Sequence, residues 1–125
     1  MKFPKKVAHK RKPKIKKVKK TTLKRKCDIL FSKLIRSLDH CERDGELKNL
    51  QTAHIYSRRI LNLRYDPQNV LCLCSRCHFW MHQNPLEAMA WFNKAYPDRA
   101  EYLIKKRNTI EKIDYNKILK DLQEF

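Results

Sequence analysis

Cys74-Ser75-Arg76-Cys77 sets two thiols three residues apart, and no other feature of this sequence constrains its fold as much. That spacing lets two thiolates from one tight turn grip a tetrahedral metal ion, and zinc asks for four such ligands. The missing pair is expected from a second knuckle upstream. Cys41-Glu42-Arg43-Asp44-Gly45 has the right shape, with Asp44 standing where a second cysteine would be. A carboxylate oxygen binds zinc, so Cys41, Asp44, Cys74 and Cys77 are the expected structural zinc site. Cys72 competes with Asp44 for the fourth position, because on a strand it faces the same side as Cys74. His40 and water are weaker competitors. The plain alternative is a set of buried apolar cysteines. Against it, a small loop-rich segment needs a fastener that so small a core does not supply.

Five cysteines, an odd number, favour metal or free thiols over a disulfide framework. The start, Met1-Lys2-Phe3-Pro4-Lys5-Lys6, carries charge with no apolar stretch behind it, so no secretory signal is expected. Val70-Leu71-Cys72-Leu73-Cys74 is the longest apolar run and is far too short to span a bilayer. A cytoplasmic protein is therefore expected. The single glycine, Gly45, argues against the glycine-rich phosphate loops of Rossmann and P-loop folds.

The 125 residues carry a net charge of +17, and its placement says more than its size. Residues 1–26 hold fourteen Lys/Arg and no acid, whereas the rest holds sixteen Lys/Arg against thirteen Asp/Glu. A polyanion is the partner this predicts, with DNA foremost and no membrane. Residues 1–22 read as a disordered basic tail that lies on phosphates, the alternative being a merely solubilising tail.

Beyond the tail, periodicity outlines an α+β chain. Cys27, Leu30, Phe31, Leu34, Ile35 and Leu38 recur at helical spacing, which makes Cys27 a buried apolar residue and not a ligand. Leu47 to Ile55 and Asn69 to Leu73 supply two short strands within an irregular stretch, and Ser75 to His82 reads as a helix. Asn84-Pro85-Leu86-Glu87 has the makings of a helix start, with Leu86, Met89, Ala90 and Phe92 facing inward and a stop near Tyr96-Pro97. A last amphipathic helix is expected from Asn108, carrying Ile110, Ile113, Ile118, Leu119 and Leu122. The resulting division is a tail (1–22), a core domain (23–95) and a C-terminal helical extension (96–125).

His54, Asn69, His78 and His82 lie between the two knuckles or directly beside the second. His78 and His82 are four apart on the expected helix, so both imidazoles project from one face and can share a cation. The segments Leu50-Gln51-Thr52-Ala53-His54, Ser57-Arg58-Arg59, Arg64-Tyr65-Asp66-Pro67-Gln68-Asn69 and Cys74-Ser75-Arg76-Cys77-His78 together resemble HNH endonucleases of the ββα-metal fold. They look closest to small phage-type members related to the NinG recombination proteins, over residues 27–95. Eight residues separate Asn69 from His78, as in that family's pattern.

The resemblance implies a strand–loop–strand–helix unit that grips one divalent cation (Mg, Mn, Ni or Zn) against a scissile phosphate. It implies His54 as the general base, Asn69 as the residue that ties the loop and orients His54, and His78 and His82 as the metal ligands. The expected activity is DNA phosphodiester hydrolysis in phage recombination or DNA processing. Many family members have Asp or His just before the base, where this chain has Ala53. That departure keeps open a catalytically silent zinc module that binds DNA or RNA, and the basic tail keeps open a ribosomal-type RNA-binding protein. Arg58, Arg59 and Arg64 are candidates for phosphate contacts, the alternative being an ordinary solvated loop.

Overall fold

The computed structural model describes residues 20–124. Most of the expected tail, residues 1–19, lies outside the described residues, but residues 20–22 are helical. Helix α1 (Lys20–Arg36) starts well before Cys27. Its inward stripe holds Cys27 and Phe31, both buried. Leu38 falls beyond the helix end and is largely exposed, after which Asp39 takes a left-handed turn (φ 67°) that redirects the chain.

Strands β1 (Leu50–His54) and β2 (Val70–Cys74) pair antiparallel, with Leu50 opposite Cys74 and His54 opposite Val70. A two-stranded ribbon is marginal in water, so its survival depends on cover. All five residues of β2 are buried, which accounts for the unbroken apolar run in the sequence. On one face, α1 lies close. Ser32 and Thr52 share a 2.6 Å hydrogen bond there, and the Phe31 ring stands 6.4 Å from the imidazole of His54. On the other face Ala53, Leu71 and Leu73 join Leu63, Phe92, Ala100 and Leu103 in the main core. Truncating Phe92, which is 1% exposed, would cost about 3–5 kcal/mol.

Between the strands come the one-turn helix α2 (Leu61–Arg64) and a 3₁₀ turn over Pro67–Asn69, which Asp66 caps by accepting from the Gln68 N–H. Helix α3 (Ser75–Gln83) follows β2 without a loop. Helices α4 (Pro85–Ala95) and α5 (Pro97–Arg107) complete the core wall.

Three expectations about the C-terminal half are corrected. Asn84 precedes α4, but its side chain donates back to the Trp80 carbonyl instead of capping, and the buried residues are Ala88 and Phe92. Leu86 is 86% exposed and Ala90 is also exposed. Helix α4 does stop at Ala95, as expected, and a further helix opens at once at Pro97, since a proline at the first helical position gives up no intrahelical hydrogen bond. The last helix, α6 (Tyr115–Gln123), starts at Asp114 and not at Asn108, because the Asp114 carboxylate accepts from the N–H groups of Asn116 and Lys117. Helix α6 packs on α1, where the Cys27 thiol donates to the Tyr115 carbonyl at 3.5 Å. No helix among the described residues is long and apolar enough to cross a membrane.

Candidate active site and metal centre

The two knuckles meet. One ligand atom each from Cys41, Asp44, Cys74 and Cys77 lie within 4.8 Å of one another, a group able to hold a metal ion. The upstream knuckle is a tight reverse turn: Gly45 N–H donates to the Cys41 carbonyl, Cys41 N–H donates to the Glu46 carbonyl, and Gly45 holds φ at 79°. The downstream pair straddles the start of α3, where the Cys74 sulfur accepts from the Cys77 N–H at 3.4 Å. Asp44 fills the fourth position, with its carboxylate 3.2 Å from the Cys77 sulfur and 3.0 Å from the Arg76 guanidinium. The Glu46 N–H and these neighbours hold the Asp44 carboxyl far below its ordinary range. Burial pushes the Cys77 thiol up to about 12, so a bound metal would have to supply the charge that keeps it a thiolate. Cys72 stays outside the group: it shares a strand face with Cys74 but lies two residues further into β2, opposite Thr52. His40 is exposed and bonds the Leu38 carbonyl.

A cleft of about 440 Å³ opens beside the sheet, lined by His54, His78, His82, Arg58, Thr52 and Asp28 among others. His54 ends β1, and its Nε2 lies 3.2 Å from the carbonyl oxygen of Arg64. A carbonyl only accepts, so Nε2 carries the hydrogen and Nδ1 carries the lone pair. Burial lowers the pKa of His54, helped by the charges of Arg58 and Arg64 and opposed by the Arg64 carbonyl and Asp28. The imidazole is thereby kept neutral.

His78 and His82 share one face of α3, with their Nε2 atoms 2.9 Å apart. Nδ1 of His78 sits 2.7 Å from the Gln51 side-chain oxygen. Gln51 thus fixes the hydrogen on Nδ1 and turns the Nε2 lone pair toward His82, the outer-sphere arrangement common behind metal-bound imidazoles. Two imidazoles on one helix face are a donor pair of the kind that could hold a divalent cation.

Asn69 is fully buried and ties the loop down. Its amide oxygen accepts from the Tyr56 N–H at 2.8 Å, and its amide nitrogen donates to the carbonyls of Tyr56 and Leu63. It makes no side-chain bond to His54, so the direct orienting bond expected of it is supplied by Arg64 instead. Arg58 is exposed and lines the cleft, and Arg59, next in the chain, is exposed as well. Arg64 also lines the cleft, but its guanidinium is 10% exposed and is engaged with both carboxylate oxygens of Asp28, at 3.0 and 2.7 Å. Asp66 is likewise engaged, by Lys106 and by the Tyr102 hydroxyl, both at 2.7 Å.

Asp28 and Gln51 are the polar residues at this site that sequence reading overlooked. Gln51 is two residues before Ala53 on the same strand face, a signal present in the alternation of β1. Asp28 carries no such signal, because Arg64 is 36 residues away in the chain. The chain matches no protein-family model, no curated protein and no solved structure.

Proposed function

We propose that this chain is a metal-dependent, HNH-type endonuclease that hydrolyses DNA phosphodiester bonds. The observation that carries the reading is the cleft in which His54, with its Nδ1 lone pair free, and the His78–His82 pair face a common space beside exposed Arg58. A binding module has no use for imidazoles whose tautomers are fixed in this way.

In this reading Nδ1 of His54 takes a proton from a water molecule as its oxygen attacks phosphorus. The bond from phosphorus to the 3′ oxygen breaks, leaving a 5′ phosphate and a 3′ oxygen that is protonated from solvent. His78 and His82 would hold a divalent cation, which would supply stabilisation of the charge that develops in the transition state. Arg58 and Arg59 hold the flanking phosphates, and the strongly basic segment 1–26 adds affinity that is blind to sequence. The knuckle site takes a structural zinc that ties β2 and α3 to the turn before β1. A cytoplasmic location goes with this reading.

Ala53 favours a second reading, a zinc-binding module that holds DNA or RNA without cutting it, since its methyl group offers no ligand. Metal-dependent nicking of supercoiled plasmid separates the two: it supports the nuclease, and its absence with every metal supports the binding module.

A further inference from the structure

The Arg64 carbonyl that sets the tautomer of His54 sits at the end of α2, a helix of four residues. One turn does not hold itself in water, because nucleation costs more than its single hydrogen bond returns. No side chain caps it at Ile60. Its fixity therefore comes from outside: Asn62 donates to the Lys106 carbonyl, Asn69 donates to the Leu63 carbonyl, and the Arg64 side chain anchors the residue that bears the carbonyl facing His54. Nε and Nη2 of Arg64 donate to the two oxygens of Asp28 in a parallel fork, at 3.0 and 2.7 Å. Tyr65 donates its hydroxyl to the same carboxylate at 2.8 Å. Nη1 of Arg64 reaches the Arg58 carbonyl at 3.3 Å, so the same guanidinium also steadies the loop that carries the phosphate-facing arginines.

A bidentate, largely buried fork restrains two dihedrals at once, which a single-point surface pair does not. Burial alone would raise the Asp28 carboxyl, but the bonds from Arg64 and Tyr65 carry it below its ordinary value. It is therefore an anion at neutral pH.

We propose that Asp28, on α1, is a positioning residue for the base: by clamping the Arg64 guanidinium it fixes the Arg64 carbonyl, and through it the ring of His54. The assignment of His54 as base rests on the nuclease reading above, whereas the mechanical link from Asp28 to His54 does not. A pair that only fastened α1 to α2 would affect stability and leave the His54 ring nitrogens as they are.

The test is nitrogen-15 NMR of the histidine rings in the full chain, with plasmid nicking measured on the same samples. Wild type should show one His54 tautomer, with the hydrogen on Nε2. Folded Asp28→Asn and Arg64→Lys should both show mixed His54 tautomers. Their kcat for nicking should fall on the order of tenfold or more, with KM for DNA little changed. Should either variant fail to fold, Tyr65→Phe, which removes one bond to Asp28, should move the same signals in the same direction by less. Folded variants that keep the wild-type tautomer overturn the proposal. A tautomer response in a chain that nicks no DNA would sustain the link from Asp28 while removing the nuclease reading.

Discussion

Nε2 of His78 stands 2.9 Å from Nε2 of His82, and Gln51 holds the far side of the His78 ring. If this pair carries the catalytic cation, His82→Ala removes a ligand and leaves the base. Half-maximal nicking should then need a much higher metal concentration, with the rate at saturating metal less affected. Gln51→Leu should act the same way by about tenfold or more, since it frees the His78 ring without removing a ligand. A metal titration of nicking checks both, and unchanged titrations would remove the cation from this pair.

Ala53 lies on the same face of β1 as Gln51 and is 1% exposed. Ala53→Asp should tighten metal binding if the new carboxylate reaches a cation held by His78 and His82. Without metal the buried carboxylate should destabilise the fold by about 1–3 kcal/mol. Thermal melts with and without manganese should therefore diverge in the variant more than in wild type. Equal metal responses would place the cation elsewhere.

The knuckle site predicts tightly held zinc. Cys74→Ser should lose the metal and on the order of several kcal/mol of stability, because binding energy at such a site is folding energy. Asp44→Cys should keep the zinc and hold it more tightly. Elemental analysis and melting with a chelator read this out, and a metal-free chain that melts as wild type would contradict it.

The knuckles were legible because cysteine spacing is a local signal: a turn of five residues and a helix start each set two ligand positions without help from the rest of the fold. The two strands and α3 were legible for the same reason, as alternation and helical spacing are properties of short windows. What escaped depends on distant partners. Arg64 looks like any loop arginine until Asp28 is brought against it by α1. Asp66 looks like a spare carboxylate until Lys106 arrives from α5. Helix α5 itself was hidden because Tyr96-Pro97 reads equally as a stop and as a start, and only the burial of Ala100 and Leu103 decides. Leu86 carries no local signal of its exposure, because the first apolar residue of a proline-led helix start faces inward or outward according to what packs against the helix.

His54 gives the pH dependence. Its pKa in the folded chain lies below the ordinary 6.5, owing first to burial. The groups facing it are Asp28 on α1, Arg58 and Arg64 around the loop, and His78 and His82 across the cleft. At saturating metal the nicking rate should hold through pH 6.5 and fall only at a lower midpoint. Stability follows the same sign: below about 6.5 the unfolded chain takes up a proton that folded His54 declines, so folding weakens as pH falls toward the folded midpoint. A rate midpoint above 6.5 would contradict this.

Whether His54 is the base of a DNA-cutting site is read out by nicking of supercoiled plasmid with wild type and His54→Ala. With Mg, Mn, Ni and Zn supplied in turn, wild type should nick with at least one of them. His54→Ala should keep its zinc, fold and DNA affinity while turning over on the order of a hundredfold more slowly. Equal nicking by the two proteins would remove His54 as the base, and none by wild type with any of the four metals would remove the nuclease assignment.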